Sequence, residues 1–424
     1  MRAFRFIHAA DLHLDSPFKG LAGLPDAVRA ELRDSTFAAL DRLVELALEQ
    51  RVDFVLFAGD IYDAKERSLR AQLRFQQALK TLAEHGIASY IIHGNHDPMQ
   101  EGYSAKLSYP PGVHVFGCGR VESVLAVDRS GAALARISGI SFDRAAVTEN
   151  LTPGFRREAD GLFHIGLLHT NVDGDGEHGN YAPCRLGDLL GRGIDYWALG
   201  HIHTRRVLHE RPWVVYPGNI QGRHIREQGA RGCYLVTVSE QGDAELDFHS
   251  LDGWRWGAAD VSIERLETEQ QLKQALEEAM EAAMAEAEGR PVLLRLSLTG
   301  RGTLHGMLRR AGAVQELASA LGEEYAGIWL EGLADRTGAP VDTGELAAQS
   351  GFLGELLRLS RDAAGSPGLL AELGADAFAP LEMNPLLATL LKGVSEEEKR
   401  AWLIEAEELA VDLLLPGMEA GRNG

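Results

Sequence analysis

Five short stretches of this chain place metal-capable side chains directly behind apolar runs. IHAADLH ends in Asp11 and His13, VLFAGDIYD holds Asp60 and Asp63, YIIHGNHD holds Asn95, His96 and Asp97, HIGLLHT holds His169, and YWALGHIH holds His201 and His203. Two histidines one residue apart can present two imidazoles to adjacent positions, and Asp11 with His13 offers an oxygen and a nitrogen in the same way. A carboxylate such as Asp60 can bridge two cations, and Asn95 adds a neutral oxygen. The donors are nitrogen and oxygen with no sulfur. That set suits Mn, Fe or Zn better than Cu(I) and is too rich in nitrogen for Ca or Mg. Singly, a buried histidine is usually a satisfied core residue and a Gly-Asp pair a plain turn. Five such clusters, each behind a strand-like run, point instead to one site. Two divalent ions ~3.5–4 Å apart can clamp a phosphate and lower the pKa of a water between them, so the expected chemistry is phosphoester hydrolysis.

The elements that must position these residues are legible as strand-like runs at 5–9, 54–58, 89–93, 164–168 and 196–199, with helical periodicity at 29–50 and 69–85. Loops at the carboxyl ends of strands form the active site in α/β sheets. Shorter strands are expected at 113–116, 121–127, 133–138, 214–216 and 233–238. The fold class is α/β, two packed sheets flanked by helices. A boundary is expected near 252–256, followed by a strand at 261–265, a helix at 269–288, a strand at 292–299, a helix at 312–321 and a strand at 327–333. This order predicts a small α+β domain, and from about residue 346 the chain reads as helical. The expected domains are therefore 1–253, 254–340 and 341–424. Leu272, Leu276, Met280 and Met284 form a core stripe on one helix. Ser395 with Glu398 is a capping box that opens a last helix, which Pro416 is expected to close. Trp402, Ala406, Leu409 and Leu413 share a face of it, for internal packing or for a partner helix.

Composition bounds the function. The 424 residues, 45% hydrophobic and 25% charged, suit a soluble globular protein of two or three domains. No long apolar run predicts a transmembrane helix, and the N-terminus shows no signal-peptide pattern. Cys118, Cys184 and Cys233 are too widely spaced for a zinc motif or a disulfide framework, which favours a reducing cytoplasm. Fourteen of the 15 histidines precede residue 254, which places the chemistry there. The net charge is −20; residues 1–253 carry 27 Lys/Arg against 33 Asp/Glu, and the remainder 15 against 29. A basic nucleic-acid footprint is thus missing from the overall balance, although bound divalent cations would offset local negative charge. No phosphate-loop motif is present, so ATP hydrolysis by that route is excluded. Arg205, Arg206, Arg223 and Arg226 flank the last motif and could touch a phosphate backbone or form surface ion pairs. Trp213 and Trp254 could stack bases or pack in a core. The D-G-D-G-E run at 173–177 lacks the full calcium-loop spacing and reads as a loop. His8, His93, His164 and His224 are left outside the ligand set.

The motif order D-x-H, G-D-x-x-D, G-N-H-D, a lone His and G-H-x-H resembles the calcineurin-like metallophosphoesterase superfamily. HAADLHLDSPF, FAGDIYDA, GNHDP and WALGHIHTRRVLHERPWVVYPGNIQGRH resemble its DNA-repair exonuclease (SbcD-like) branch, most closely the bacterial YhaO-like proteins. The motif resemblance covers about residues 1–235. It implies a metallophosphoesterase-type two-sheet sandwich with a small α+β capping domain and a C-terminal helical region. It implies one metal on Asp11, His13, Asp60 and His203 and a second on Asp60, Asn95, His169 and His201. His96 would be the catalytic histidine and Asp63 its orienter. The implied activity is that of a manganese-dependent DNA exonuclease or endonuclease in repair. Its implied partners are DNA, an SbcC-like ABC ATPase and a second copy of the chain, with no membrane. Other readings of the same residues are a phosphoesterase acting on nucleotides or phosphoproteins, and a DNA-end-binding scaffold protein.

Overall fold

The computed structural model describes residues 2–18, 24–63, 68–100, 105, 107–176, 179–325, 327–383, 387–388, 391 and 394–420. The chain divides into two compact units. One comprises Met1–Ala259, Met280–Arg295 and Gly322–Gly332, the other Asp260–Ala279, Leu296–Leu321 and Leu333–Gly424.

The first unit is built on two six-stranded sheets. One contains β1 (Phe4–Ala9), β2 (Phe54–Ala58), β3 (Ala88–Ile92), β4 (Val113–Val115), β11 (Gly232–Val238) and β12 (Ala244–Ser250), in the order β12-β11-β1-β2-β3-β4. The other contains β5 (Glu122–Val127), β6 (Ala133–Gly139), β7 (Phe163–His169), β8 (Tyr196–Gly200), β9 (Arg206–Glu210) and β10 (Trp213–Tyr216), in the order β5-β6-β7-β8-β10-β9. In each sheet four neighbouring strands are parallel: β1 to β4 in the first, and β6, β7, β8 and β10 in the second. The flanking strands are antiparallel.

Alternation along the strands sorts side chains onto two faces. Phe4, Phe6, Phe54, Leu56 and Tyr90 from one sheet share a buried cluster with Phe163, Ile165, Leu167 and Tyr196 from the other. Phe6 stacks on Phe54 with centroids 5.1 Å apart and meets Tyr196 edge-on at 5.3 Å. Such pairs add ~0.5–1.5 kcal/mol to the burial of their area. On the opposite face of the first sheet, Ile7, Val55, Phe57 and Ile91 pack with Leu40, Leu43 and Ala47 of α1 (Asp26–Glu49) and Phe75, Leu79 and Leu82 of α2 (Leu69–Glu84). Trp197 and Leu199 of β8 pack on the outer face of the second sheet with Leu189 of α3 (Leu186–Leu190). This is a two-sheet α/β sandwich flanked by helices.

Several boundaries differ from the sequence expectation. β9 and β12 are strands where none is expected; both lie at sheet edges, and β12 turns Glu245 and Asp247 outward, so no apolar run marks it. β13 (Arg255–Ser262) starts earlier than the strand expected at 261–265, because Gly257, Ala258 and Ala259 conceal it in a propensity reading. It pairs in a third sheet of order β13-β14-β15 with β14 (Val292–Thr299) and β15 (Ile328–Asp335). The helices α4 (Glu269–Glu286), α5 (His305–Leu308) and α6 (Ala313–Glu324) intervene in the chain. Leu272, Leu276 and Met280 are fully buried.

The end of the chain forms α7 (Thr343–Ala348), α8 (Phe352–Gly365), α9 (Pro367–Glu382) and α10 (Glu396–Ala420). Leu353, Leu357 and Val411 form a small core among them. Ser395 and Glu398 make reciprocal bonds at the start of α10, each backbone N–H donating to the other's side chain at 2.7 and 3.2 Å. The helix runs through Pro416 instead of ending there. A proline one turn from a helix end removes a single hydrogen bond. No helix among the described residues is long and apolar enough to cross a membrane.

The two sheets approach closely at Gly200, where an ideal Cβ would lie 1.9 Å from the Ala58 carbonyl oxygen and 2.9 Å from His169 Nδ1. Backbone cannot give way as a flexible side chain can. Gly200→Ala should therefore lower the thermal midpoint of the metal-free protein, by an amount equivalent to about 1–3 kcal/mol; an unchanged midpoint would contradict this packing.

Candidate metal centre

β1, β2 and β3 are parallel neighbours, so their carboxyl ends lie along one sheet edge. Asp11 and His13 follow β1, Asp60 follows β2, and Asn95 and His96 follow β3. His169 is the last residue of β7, and His201 and His203 follow its parallel neighbour β8. Each sheet thus contributes part of one cluster. The first two loops run side by side, with backbone N–H groups of Asp11, His13 and Leu14 donating to the carbonyls of Gly59, Asp60 and Ile61 at 3.1, 3.0 and 2.9 Å. Nine described non-glycine residues have positive φ, and four of them are Asp11, His13, Asp60 and His201. Such backbone costs of order 1–3 kcal/mol per residue and gathers at functional sites. Gly59 and Gly94 are required by proximity. A Cβ on Gly59 would lie 2.5 Å from His169 Nδ1, and one on Gly94 would lie 2.4 Å from Asp60 Oδ1.

The hydrogen bonds decide which ring nitrogens face inward. His169 Nδ1 donates to the Ala58 carbonyl at 2.9 Å, leaving Nε2 3.0 Å from Asn95 Oδ1 and 3.5 Å from Asp60 Oδ2. His201 uses the opposite nitrogens: Nε2 donates to the Gly179 carbonyl at 2.7 Å and Nδ1 lies 3.0 Å from Asn95 Oδ1. His13 Nε2 and His203 Nε2 are 3.2 Å apart, and His13 Nε2 is 3.7 Å from Asp60 Oδ2. Asp60 Oδ2 is buried between His13 and His169 and has no hydrogen-bond partner among the described residues. Asp11 accepts the His201 backbone N–H on both carboxylate oxygens. Asp11–His13–His203, His13–Asp60–His96 and Asp11–Asp60–His169 are each close enough to share a cation, with donor atoms within 4.8 Å of one another.

Electrostatics favour the same conclusion. Burial pushes the Asp11 carboxyl up to about 7, against the attraction of His169. Burial opposes charge on Asp60 as well, but His169, His96 and His13 hold it well below the ordinary carboxylate range. Burial and the neighbouring Arg223 guanidinium keep His13 neutral. His169 is pushed up to about 9 by Asp60 and Asp11 despite its burial. Two buried carboxylates among inward-facing imidazoles, one oxygen without a partner, form a donor set that divalent cations satisfy by displacing protons.

Residues 4–205 match the family model for the calcineurin-like phosphoesterases, and residues 256–338 match that for the middle domain of metallophosphoesterase YhaO. The chain is 39% identical over 322 residues to the uncharacterized metallophosphoesterase YhaO of Bacillus subtilis, covering 76% of this chain and 78% of that protein. The chain belongs to the calcineurin-like metallophosphoesterase family. More distant relatives of this metallophosphoesterase include the DNA double-strand break repair protein Mre11 of Aeropyrum pernix, 27% identical over 268 residues, covering 57% of this chain and 59% of that one. Another is a component of the B. subtilis nuclease SbcCD, 24% identical over 274 residues, covering 56% of this chain and 67% of that one. The protein is a metal-dependent phosphoesterase, and its family works with a dinuclear divalent centre, for which the Asp/His cluster is the candidate.

His96 and Asp63 lie at the edge of this centre, with His96 Nδ1 3.5 Å from Asp63 Oδ1. The His96 ring meets His13 edge-on at 4.8 Å, and its backbone N–H donates to Asp60 Oδ1 at 2.9 Å. Asp97 ties the turn together, accepting from the N–H groups of Ile61 and Gly94 and lying 3.1 Å from His93 Nδ1. His8 is buried between Tyr196 and Leu199, and His164 pairs with Asp160. Trp254 is buried against Trp329, while Trp213 donates to the Ala244 carbonyl. Arg205 lies over the Phe248 ring and Arg206 pairs with Asp175. Glu177 of the D-G-D-G-E run lies outside the described residues. The sequence reading missed Glu227, a buried carboxylate 2.7 Å from His203 Nδ1; no motif marks it.

Asp60 is the acceptor shared by both halves of the cluster. Asp60→Ala should reduce bound divalent metal to background in elemental analysis of the purified protein. Retention of two tightly bound ions would remove Asp60 from a bridging position.

Proposed function

We propose that this metallophosphoesterase hydrolyses DNA phosphodiester bonds as an exonuclease or endonuclease in repair, working with two divalent cations, manganese ahead of iron or zinc. One cation would be held by Asp11, His13, Asp60 and His203, the other by Asp60, Asn95, His169 and His201. When bound, such a pair polarises the phosphoester and supplies a nucleophile at neutral pH. The observation that best supports hydrolysis is the position of His96 beside that donor set, with Asp63 behind its ring. Burial opposes a charge on His96, but the bond to Asp63 and the charges of Asp60 and Asp63 raise its pKa above the ordinary value. A protonated His96 can donate to the leaving oxygen, and Asp63 holds the ring for that transfer. Arg223 carries a largely buried guanidinium 3.4 Å from both His203 Nδ1 and Glu227 Oε1, which puts one fixed positive charge beside the donor set. DNA as the substrate is supported by the names of the Mre11 and SbcCD relatives.

The organisation that goes with this reading has a nuclease domain at 1–253, an α+β capping domain at 254–340 and a helical region at 341–424, in a cytoplasmic protein. The helical region would dock an SbcC-like ABC ATPase, within an assembly containing two copies of the chain. Phe352, Leu359, Leu409 and Leu413 are each at least 60% exposed there, a density of bare apolar side chains unusual outside an interface.

His96→Ala should keep both metals while kcat falls ~10²–10⁴-fold, and Asp63→Asn should give a smaller loss; loss of metal from His96→Ala would make it a ligand. With Mn, the purified protein should cleave DNA in preference to cyclic nucleotides or phosphopeptides, assayed with and without the ATPase, and the opposite preference would favour the nucleotide or phosphoprotein reading. Leu409→Asp with Leu413→Asp in the full chain should abolish co-purification of the ATPase; unchanged capture would move the docking site elsewhere.

A further inference from the structure

The loop from β10 to β11 crosses from one sheet to the other and carries Glu227, which is 3% exposed. It is a rigid loop. Gly222 passes so close to Glu227 that a Cβ there would lie 2.6 Å from the Glu227 carbonyl oxygen, and the Gly222 carbonyl accepts the Trp256 indole N–H at 3.0 Å. The Glu227 carboxylate is held from several sides. Oε2 accepts the Arg223 backbone N–H at 2.7 Å, and Oε1 lies 3.3 Å from His224 Nε2 and 3.4 Å from Arg223 Nη2. At Oε1 the shortest contact is with His203, whose Nδ1 lies 2.7 Å away.

Among the described residues, Arg223 and Glu227 beside His203 Nδ1 require opposite tautomers. Arg223 Nη2, at 3.4 Å, is a donor and would need Nδ1 as an acceptor. Glu227 Oε1 is an acceptor and needs Nδ1–H. The carboxylate contact is 0.7 Å shorter and charge-assisted, while 3.4 Å is at the long edge for a nitrogen donor. Nδ1 therefore carries the proton and the Nε2 lone pair faces His13 Nε2, 3.2 Å away. Two inward imidazole nitrogens at that separation suit joint ligation of one cation.

We propose that Glu227 is a positioning residue of the metal centre. It fixes the tautomer and orientation of His203, and with them the affinity of the cation shared with Asp11 and His13. This rests on the two-cation reading and assigns Glu227 to one half of it. His169 and His201 are oriented by neutral backbone carbonyls, at Ala58 and Gly179. His203 is backed instead by a carboxylate, which raises the basicity of its inner nitrogen.

The test is calorimetric titration of the full-length, chelator-stripped protein with Mn(II), with the free ion followed by electron paramagnetic resonance. The parent chain should bind two ions. Glu227→Gln, which preserves an acceptor for the Arg223 N–H, should keep one site at parental affinity and weaken the other ~10–100-fold, with His203→Ala losing that same site outright. An unchanged melting temperature of metal-free Glu227→Gln would show that the loop is intact. Two sites of parental affinity in Glu227→Gln, or equal weakening of both, would overturn the inference while leaving the two-cation reading standing. A parent chain that binds no Mn(II) would overturn both. A measurement that needs no variant is side-chain ¹⁵N NMR of the parent protein, where His203 should be the Nδ1–H tautomer; the Nε2–H form would refute the assignment.

Discussion

A carboxylate oxygen buried between two histidines without a hydrogen bond is an unfavourable thing for a protein to keep. Asp60 Oδ2 is such an atom among the described residues. The effective penalty for burying an ion is several kcal/mol even after relaxation. It is tolerated here because positive charge can be gathered around it from both sheets. Much of the local structure follows from this requirement: the positive φ of Asp11, His13, Asp60 and His201, the glycines at 59 and 94 that clear space for His169 and Asp60, and the paired loops after β1 and β2.

The sandwich makes that gathering possible. Neither sheet holds enough donors alone. The loops after β1, β2 and β3 supply the carboxylates of Asp11 and Asp60, the Asn95 amide and the His13 imidazole, while β7 and β8 supply those of His169, His201 and His203. The aromatic packing of Phe6 and Phe54 against Tyr196 holds the sheets together, and Gly200 lets them close until backbone nearly touches backbone. A larger residue at that point would separate the halves of a centre whose donors must converge within a few ångströms.

Around the donors lies a second layer that controls them. Ala58 and Gly179 carbonyls select opposite nitrogens on His169 and His201, so that both aim at Asn95. Glu227 and Arg223 surround His203, and Asp63 stands behind His96. Of these partners only Arg223 carries a fixed positive charge; Glu227 and Asp63 are carboxylates that orient imidazoles.

Residue types and their order are enough to name the candidate donors, which the fold does bring together, and the strands that carry them. Metal ligation restricts residue types, and parallel strands buried on both faces, such as FVLFA of β2, read as short apolar runs with nothing else to be. The same reading could not show β9 or β12, whose edge positions dilute the apolar pattern, nor where β13 begins, since glycine and alanine carry little strand signal. Pro416 reads as a stop in sequence, yet α10 passes through it near its end, where one lost bond is tolerable to the helix. Trp254 could equally stack a base or fill a core until Trp329 is seen against it. Which nitrogen of each histidine faces inward is settled by packing, because it depends on carbonyls and carboxylates far away in the chain. Glu227 reaches His203 from 24 residues downstream through a loop between two sheets. No local pattern encodes such a contact; it exists only once the strands on either side are packed.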